Sequence, residues 1–245
     1  LVIIGWDVST TAIGVCVKWD GRPHEFHVIF PKGKTALDKW KDAKLNIVNF
    51  MHGINGQIND ELLRHPGSSA HGSHSHVKHV VEQRLGGFTG GLTTKQTLMA
   101  LAAMNAVVST ELSASGEVEF ILPQTAKALI GLKKKQIEGE DKKETVVRLA
   151  RSACPGFPYK EKSSSGKPRN DKGKTYPWVK GIDDMADAWL LVEAYQALRG
   201  KAESEQLEKA AGHKGKARRA QKDGSKEERV RVSLPESEVY KRKAR

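Results

Sequence analysis

Short apolar blocks open the chain, and apolar residues at helical spacing follow. Val2 to Val8 is a nearly continuous apolar run and predicts a buried strand. Ala12 to Trp19 predicts a second strand, joined to the first by a Ser9-Thr10-Thr11 turn. Asp20-Gly21 is a hairpin signal, and His24 to Phe30 predicts the third strand of an antiparallel meander. Leu37, Trp40, Ile47, Val48 and Met51 then keep a helical period, with Lys44 as the exception. Asn55 to Ser75 is rich in Gly, Ser and His and predicts a surface loop or partly ordered insertion. Val77 to Leu85 predicts a fourth strand.

A glycine-rich stretch, Gly86 to Gly91, precedes Thr93-Thr94-Lys95-Gln96, which offers a capping box for a helix ending near Leu112. Val118 to Leu122 predicts a fifth strand. Pro123-Gln124-Thr125 opens a short helix ending near Gly131, and a second helix spans Asp141 to Ser152. Lys160 to Lys180 has few apolar residues and predicts a loop; Ile182 to Leu198 predicts the last helix. Three antiparallel strands followed by strands separated by helices predict an α/β fold, a mixed sheet with helices on both faces. The expected organisation is one domain over 1–198, with insertions near 55–75 and 160–180, and a basic extension over 199–245 that is helical or disordered.

Composition sharpens this picture in two ways. Of the 245 residues 38% are hydrophobic, enough for one sizeable core with extensions. The net charge is +12, of which the residues from Arg199 onward supply +7 (15 Lys+Arg, 8 Asp+Glu). Such a balance favours polyanions through phosphate contacts. No apolar run approaches membrane-spanning length and no secretory signal is visible, so a cytoplasmic, nucleoid-associated protein is expected, or a host-cytoplasmic one if phage-encoded. The two cysteines fit no zinc pattern; Cys16 reads as a small buried hydrophobe. Five histidines fall between His65 and His79; amid Gly and Ser, they read as a solvated polar loop rather than a zinc site.

Four carboxylates carry the chemistry. Asp7 lies on the opening strand, Glu82 closes the apolar run VKHVVE, and Asp184 and Asp187 sit three apart in GIDDMADAW, on one helix face. Ionised carboxylates at the ends of buried strands are costly unless a cation or hydrogen bonds compensate. Mg²⁺ takes hard oxygen ligands, and two such ions can activate a water and stabilise a leaving 3′ oxygen. Taken singly, each residue has an ordinary alternative: Asp7 as a turn residue, Asp183 or Asp184 as a helix cap, Asp187 as a solvated face residue.

The segments IIGWDVSTTAIGV, VVEQ, PQTAKALIG, KKETV and DDMADAW resemble, in order and spacing, the RuvC family of Holliday-junction resolvases within the RNase H-like superfamily. That resemblance implies an RNase H-like five-stranded sheet and a homodimeric, metal-dependent endonuclease that nicks four-way DNA junctions in pairs. It implies that Asp7, Glu82, Asp184 and Asp187 hold two Mg²⁺ ions, with Mn²⁺ substituting. It places Lys127 and Lys143, or its neighbour Lys142, near the scissile phosphate, with an ordinary solvated lysine as the alternative. Phe88, in a Gly-Gly-Phe-Thr-Gly-Gly loop, is a candidate to stack at the junction, although the family's aromatic position is here Leu85. Arg84, Lys95, Lys127, Lys142 and Lys143 complete the expected DNA-contacting set. The competing readings are a related nuclease acting on flaps, other branched DNA or RNA–DNA hybrids, a non-catalytic junction-binding protein, and an actin-like ATP-using kinase. The last needs a second phosphate loop that this chain lacks. A protein partner for the basic tail stays open.

Overall fold

The computed structural model describes residues 1–64, 77–83, 95–161, 169–171 and 174–205. It divides into two compact units, Leu1–Ala197 and Leu198–Arg245. Of the second unit, residues 198–205 are described; they are helical and carry an Arg199–Glu203 ion pair at 3.0 Å.

The first unit is built on a five-stranded sheet in the order β3-β2-β1-β4-β5. Its strands are β1 (Val2–Val8), β2 (Ile13–Trp19), β3 (Glu25–Ile29), β4 (Val77–Glu82) and β5 (Glu117–Ile121). β1 pairs antiparallel with β2, and β2 with β3; β1 pairs parallel with β4, and β4 with β5. This is the mixed order expected from the sequence, three antiparallel strands followed by parallel ones. Every residue of β1 is buried, as its nearly unbroken apolar run requires of a central strand covered on both sides.

The pleat sends alternate side chains to two separate cores. Ile4, Trp6, Val8, Val15 and Val81 pack under α1 (Ala36–Arg64) and α2 (Lys95–Ser113). Ile3, Cys16 and Val80 pack under the opposite layer. That layer holds α3 (Pro123–Leu129), α4 (Leu132–Lys135), α5 (Lys142–Ala153) and α6, the helix over residues 182–197.

Three expectations are corrected. The predicted loop from Asn55 is helical to Arg64, because Ile54 and Ile58 continue the buried stripe of Ile47 and Met51 at spacings of three and four; the remainder of that stretch, 65–75, lies outside the described residues. The 160–180 stretch is not simply a loop. It contains a hairpin of β6 (Arg169–Asp171) and β7 (Lys174–Tyr176), and its Tyr176 and Trp178 are buried and stacked, ring centroids 4.7 Å apart. Two aromatics supply enough buried area to tie a polar segment down. Finally, His79 is not solvated. It is fully buried on β4, where Trp6 Nε1–H donates to its Nδ1 at 3.2 Å and its Nε2 lies 3.1 Å from Ser115 Oγ. Ser115 Oγ donates onward to the Leu112 carbonyl, so Nε2 carries the proton. Burial lowers the His79 pKa to about 4, and the ring is neutral.

The capping box expected at Thr93-Thr94-Lys95-Gln96 falls partly outside the described residues. Two others are present. Thr35 and Asp38 cap α1 reciprocally, each backbone N–H 3.1 Å from the other's side-chain oxygen. Asp141 and Glu144 do the same for α5.

Candidate active site

Backbone register brings the carboxylates together. In the parallel β1–β4 pair Trp6 faces Val81, so Asp7 and Glu82, one residue further on, lie on the same face at the same end of adjacent strands. In the antiparallel β1–β2 pair Asp7 faces Gly14. A Cβ at Gly14 would collide with the Asp184 backbone carbonyl, and a Cβ at Gly5 with that of Ala188. Two glycines, one on each strand, thus let α6 lie with its backbone directly on the sheet. The contact at Gly14 delivers Asp184 to Asp7, and the spacing of three puts Asp187 on the same helix face.

The site is desolvated and crowded with negative charge. Asp7 and Asp184 are each 7% exposed, while Glu82 and Asp187 are half-buried. Burial first, then repulsion from Glu82 and Asp187, a side-chain hydrogen bond with Glu82 and repulsion from Asp184 push the Asp7 carboxyl well above the usual range. Burial likewise raises Asp187, to about 7, against the pull of the Lys127 ammonium and with the push of Glu82, Asp183 and Asp184.

These carboxylates feel one another, yet among the described residues no group of three or more His, Cys, Asp or Glu converges tightly enough to hold a metal ion as it stands. The two observations are compatible. A hydrogen bond between the Asp7 and Glu82 side chains takes up part of their capacity to accept a cation. The donor set itself, four hard carboxylates in a site that raises proton affinity, has the chemistry of an Mg²⁺ site, and a cation would replace the shared proton.

Lys127 stands on α3, close enough to Asp187 to favour its ionised form. Lys143, in the first turn of α5, donates to Asp183 Oδ2 at 3.2 Å and lies 5.9 Å from the centre of the Tyr176 ring. Asp183 is 3% exposed, in the first turn of α6, one residue before Asp184. Tyr176 Oη donates to Asp141 Oδ2 at 2.6 Å, while Asp141 Oδ1 caps α5. The linkage of Asp183, Lys143, Tyr176 and Asp141 was missed at the sequence level. Its contacts join two segments, around Asp141 and Lys143 and around Tyr176 and Asp183, that lie 35 to 40 residues apart, and only Asp141-x-x-Glu144 carries a local signal. Lys142 is exposed on the first turn of α5, and Lys95 is exposed at the start of α2. Arg84 and Phe88 lie outside the described residues.

In solved structures the chain is similar to Thermus thermophilus RuvC, at 14% identity over 82% of this chain and 97% of that one, with a TM-score of 0.48. It is also similar to T. thermophilus RuvC in complex with a Holliday junction substrate (11% identity, 82% and 96% covered, TM-score 0.46). A third likeness is to the yeast mitochondrial Holliday junction resolvase Ydc2 (12% identity, 82% and 80% covered, TM-score 0.42). No family model matches the chain, and no curated protein matches it in sequence.

Proposed function

We propose that this protein is a metal-dependent endonuclease that resolves four-way DNA junctions by paired nicks, acting as a homodimer. The observation that carries the reading is the gathering of Asp7, Glu82, Asp184 and Asp187 from two strand ends and one helix, with Lys127 beside them. A structural role alone does not account for four carboxylates, two of them nearly fully buried, pressed together at a net cost. The resemblance of IIGWDV, VVEQ and DDMADAW to RuvC resolvases selects the four-way junction as substrate.

In this reading Asp7, Glu82, Asp184 and Asp187 hold two Mg²⁺ ions, or Mn²⁺ in their place. When bound, such ions supply an activated water and neutralise charge on the leaving 3′ oxygen. The protein's own contribution is position. The Gly5 and Gly14 contacts hold α6, and so Asp184 and Asp187, against Asp7. Lys127 adds positive charge where the phosphodiester becomes more negative, and Lys143, tethered by Asp183, adds a second. Lys95 and Lys142 are exposed and suited to backbone phosphates further out.

The deciding experiment is nicking of an immobile four-way junction in Mg²⁺ by the wild type and by Asp7→Asn, beside linear duplex, flap and RNA–DNA hybrid. Symmetric paired cuts in the junction that fall by about 100-fold or more in Asp7→Asn, on the order of losing one essential electrostatic group, are the expected result. Preference for flaps or hybrids would move the substrate and keep the site. Tight junction binding without cutting by the wild type would leave a binding protein.

A further inference from the structure

On the sheet face opposite the carboxylates, a pocket of about 290 Å³ opens beside the turn that follows β1. Thr10, three residues beyond Asp7, reaches its wall. The start of α1 supplies Lys39 and, one residue on, Trp40, with Lys34 just before the helix; the start of α2 supplies Gln96 and Thr97. Among the described residues no carboxylate lines the pocket. The nearest one in sequence, Asp38, is turned back onto the Thr35 N–H in the α1 cap. The N-terminus of α1 adds partial positive charge to the two lysines. Trp40 lines the pocket, and among the described residues its buried Nε1 has no hydrogen-bond partner.

Two ammonium groups, hydroxyl and amide side chains and an aromatic surface, without an acid, have the chemistry of one nucleotide: a phosphate and a flat base. The volume is at the lower end of ligand pockets, which run from roughly 300 to 1,000 Å³, and has room for one base with its phosphate but not for a duplex. We propose that this pocket takes a single unstacked nucleotide of the bound DNA strand, its base against Trp40 and its phosphate between Lys34 and Lys39. The inference rests on the nuclease reading, and it adds a strand-holding subsite that the four carboxylates do not supply. Stacking is interrupted at the exchange point of a junction and at the base of a flap, so a nucleotide is drawn out there at less cost than from linear duplex, and the pocket favours branched DNA.

The test uses the full-length chain and a synthetic four-way junction carrying one abasic position, moved nucleotide by nucleotide along the cut strand. Binding is measured in a chelator and nicking in Mg²⁺. One abasic position is expected to weaken wild-type binding by about 10-fold, the size of one base–aromatic stack. That penalty should vanish in Trp40→Ala and persist in Trp40→Phe. Lys34→Ala with Lys39→Ala reads the phosphate half without touching the core: the slope of log affinity against log salt should flatten by about 2. Equal abasic penalties in wild type and Trp40→Ala at every position, or a salt slope unmoved by the lysine pair, would overturn the subsite. Normal nicking in that case would leave the nuclease reading standing, whereas a wild type that binds no form of DNA would remove both.

Discussion

Asp187 and His79 are buried titratable groups that burial moves to opposite effect. The Asp187 carboxyl is raised to about 7 from 3.8, so its contribution to stability is whole below pH 3.8 and lost as pH rises toward 7. His79 is lowered from 6.5 to about 4, so its contribution is whole above pH 6.5 and lost as pH falls toward 4. Each shift corresponds to roughly 1–4 kcal/mol across its window, and between pH 4 and 6.5 the two slopes oppose. Urea denaturation in a chelator from about pH 4 to 8 separates them. Asp187→Asn should gain stability near neutral pH and none at acid pH, and His79→Gln should lose less than wild type on acidification. Matching pH profiles for all three proteins would contradict both assignments. Mg²⁺ at about 100 times its Kd should stabilise the wild type by about 2.7 kcal/mol and Asp187→Asn by less. At this scale the sequence made Asp7 and Glu82 visible, because a carboxylate that closes an apolar run carries a desolvation cost that some partner must offset. His79 was not visible, because its partners Trp6 and Ser115 are 73 and 36 residues away.

Among the elements, α6 on the sheet decides whether a site exists. Gly14→Ala forces a side chain into the Asp184 carbonyl, and Gly5→Ala into that of Ala188. Overpacking of this kind costs roughly 1–3 kcal/mol, and at a backbone-to-backbone contact the upper part of that range applies. Gly53 on α1 provides the contrast, since nothing lies within 4 Å of a Cβ added there. Gly53→Ala should raise stability by about 0.5–1 kcal/mol through helix propensity. Urea midpoints of the three variants check the ordering. Gly14→Ala should also lose the Mg²⁺-dependent rise in Tm, which Gly53→Ala keeps. The helical period of α1 was legible as far as Met51; beyond it the Gly, Ser and His content masks the stripe that Ile54 and Ile58 continue. The β6–β7 hairpin was not legible, because strands of three residues carry too little pattern and take their order from the buried Tyr176 and Trp178 nearby.

For the whole molecule, a net charge of +12 makes DNA affinity strongly salt-dependent. With roughly six to ten phosphate contacts, affinity should fall by about 10³–10⁵ between about 50 and 200 mM salt. A chain ending at residue 205 should bind more weakly with a shallower slope and still nick at the same position. Binding isotherms across a salt series, with mapped nicks, test this, and a truncation that leaves the slope unchanged would place the phosphate contacts in the part of the chain that remains. Among the described residues no helix is long and apolar enough to cross a membrane. The sequence by itself determined the five strands of the main sheet and most of the helices, because apolar periodicity is local. It also singled out Asp7 and Glu82, because charge near the end of an apolar run is a local anomaly, and Asp184 and Asp187, because a spacing of three puts them on one helix face. Only the tertiary structure decided which of these groups meet. The register of β1 against β4, the closeness of α6 at Gly5 and Gly14, the tether of Lys143 to Asp183 and the Trp40 pocket are contacts between segments far apart in the chain. No short window of sequence encodes them, because they depend on how whole elements pack.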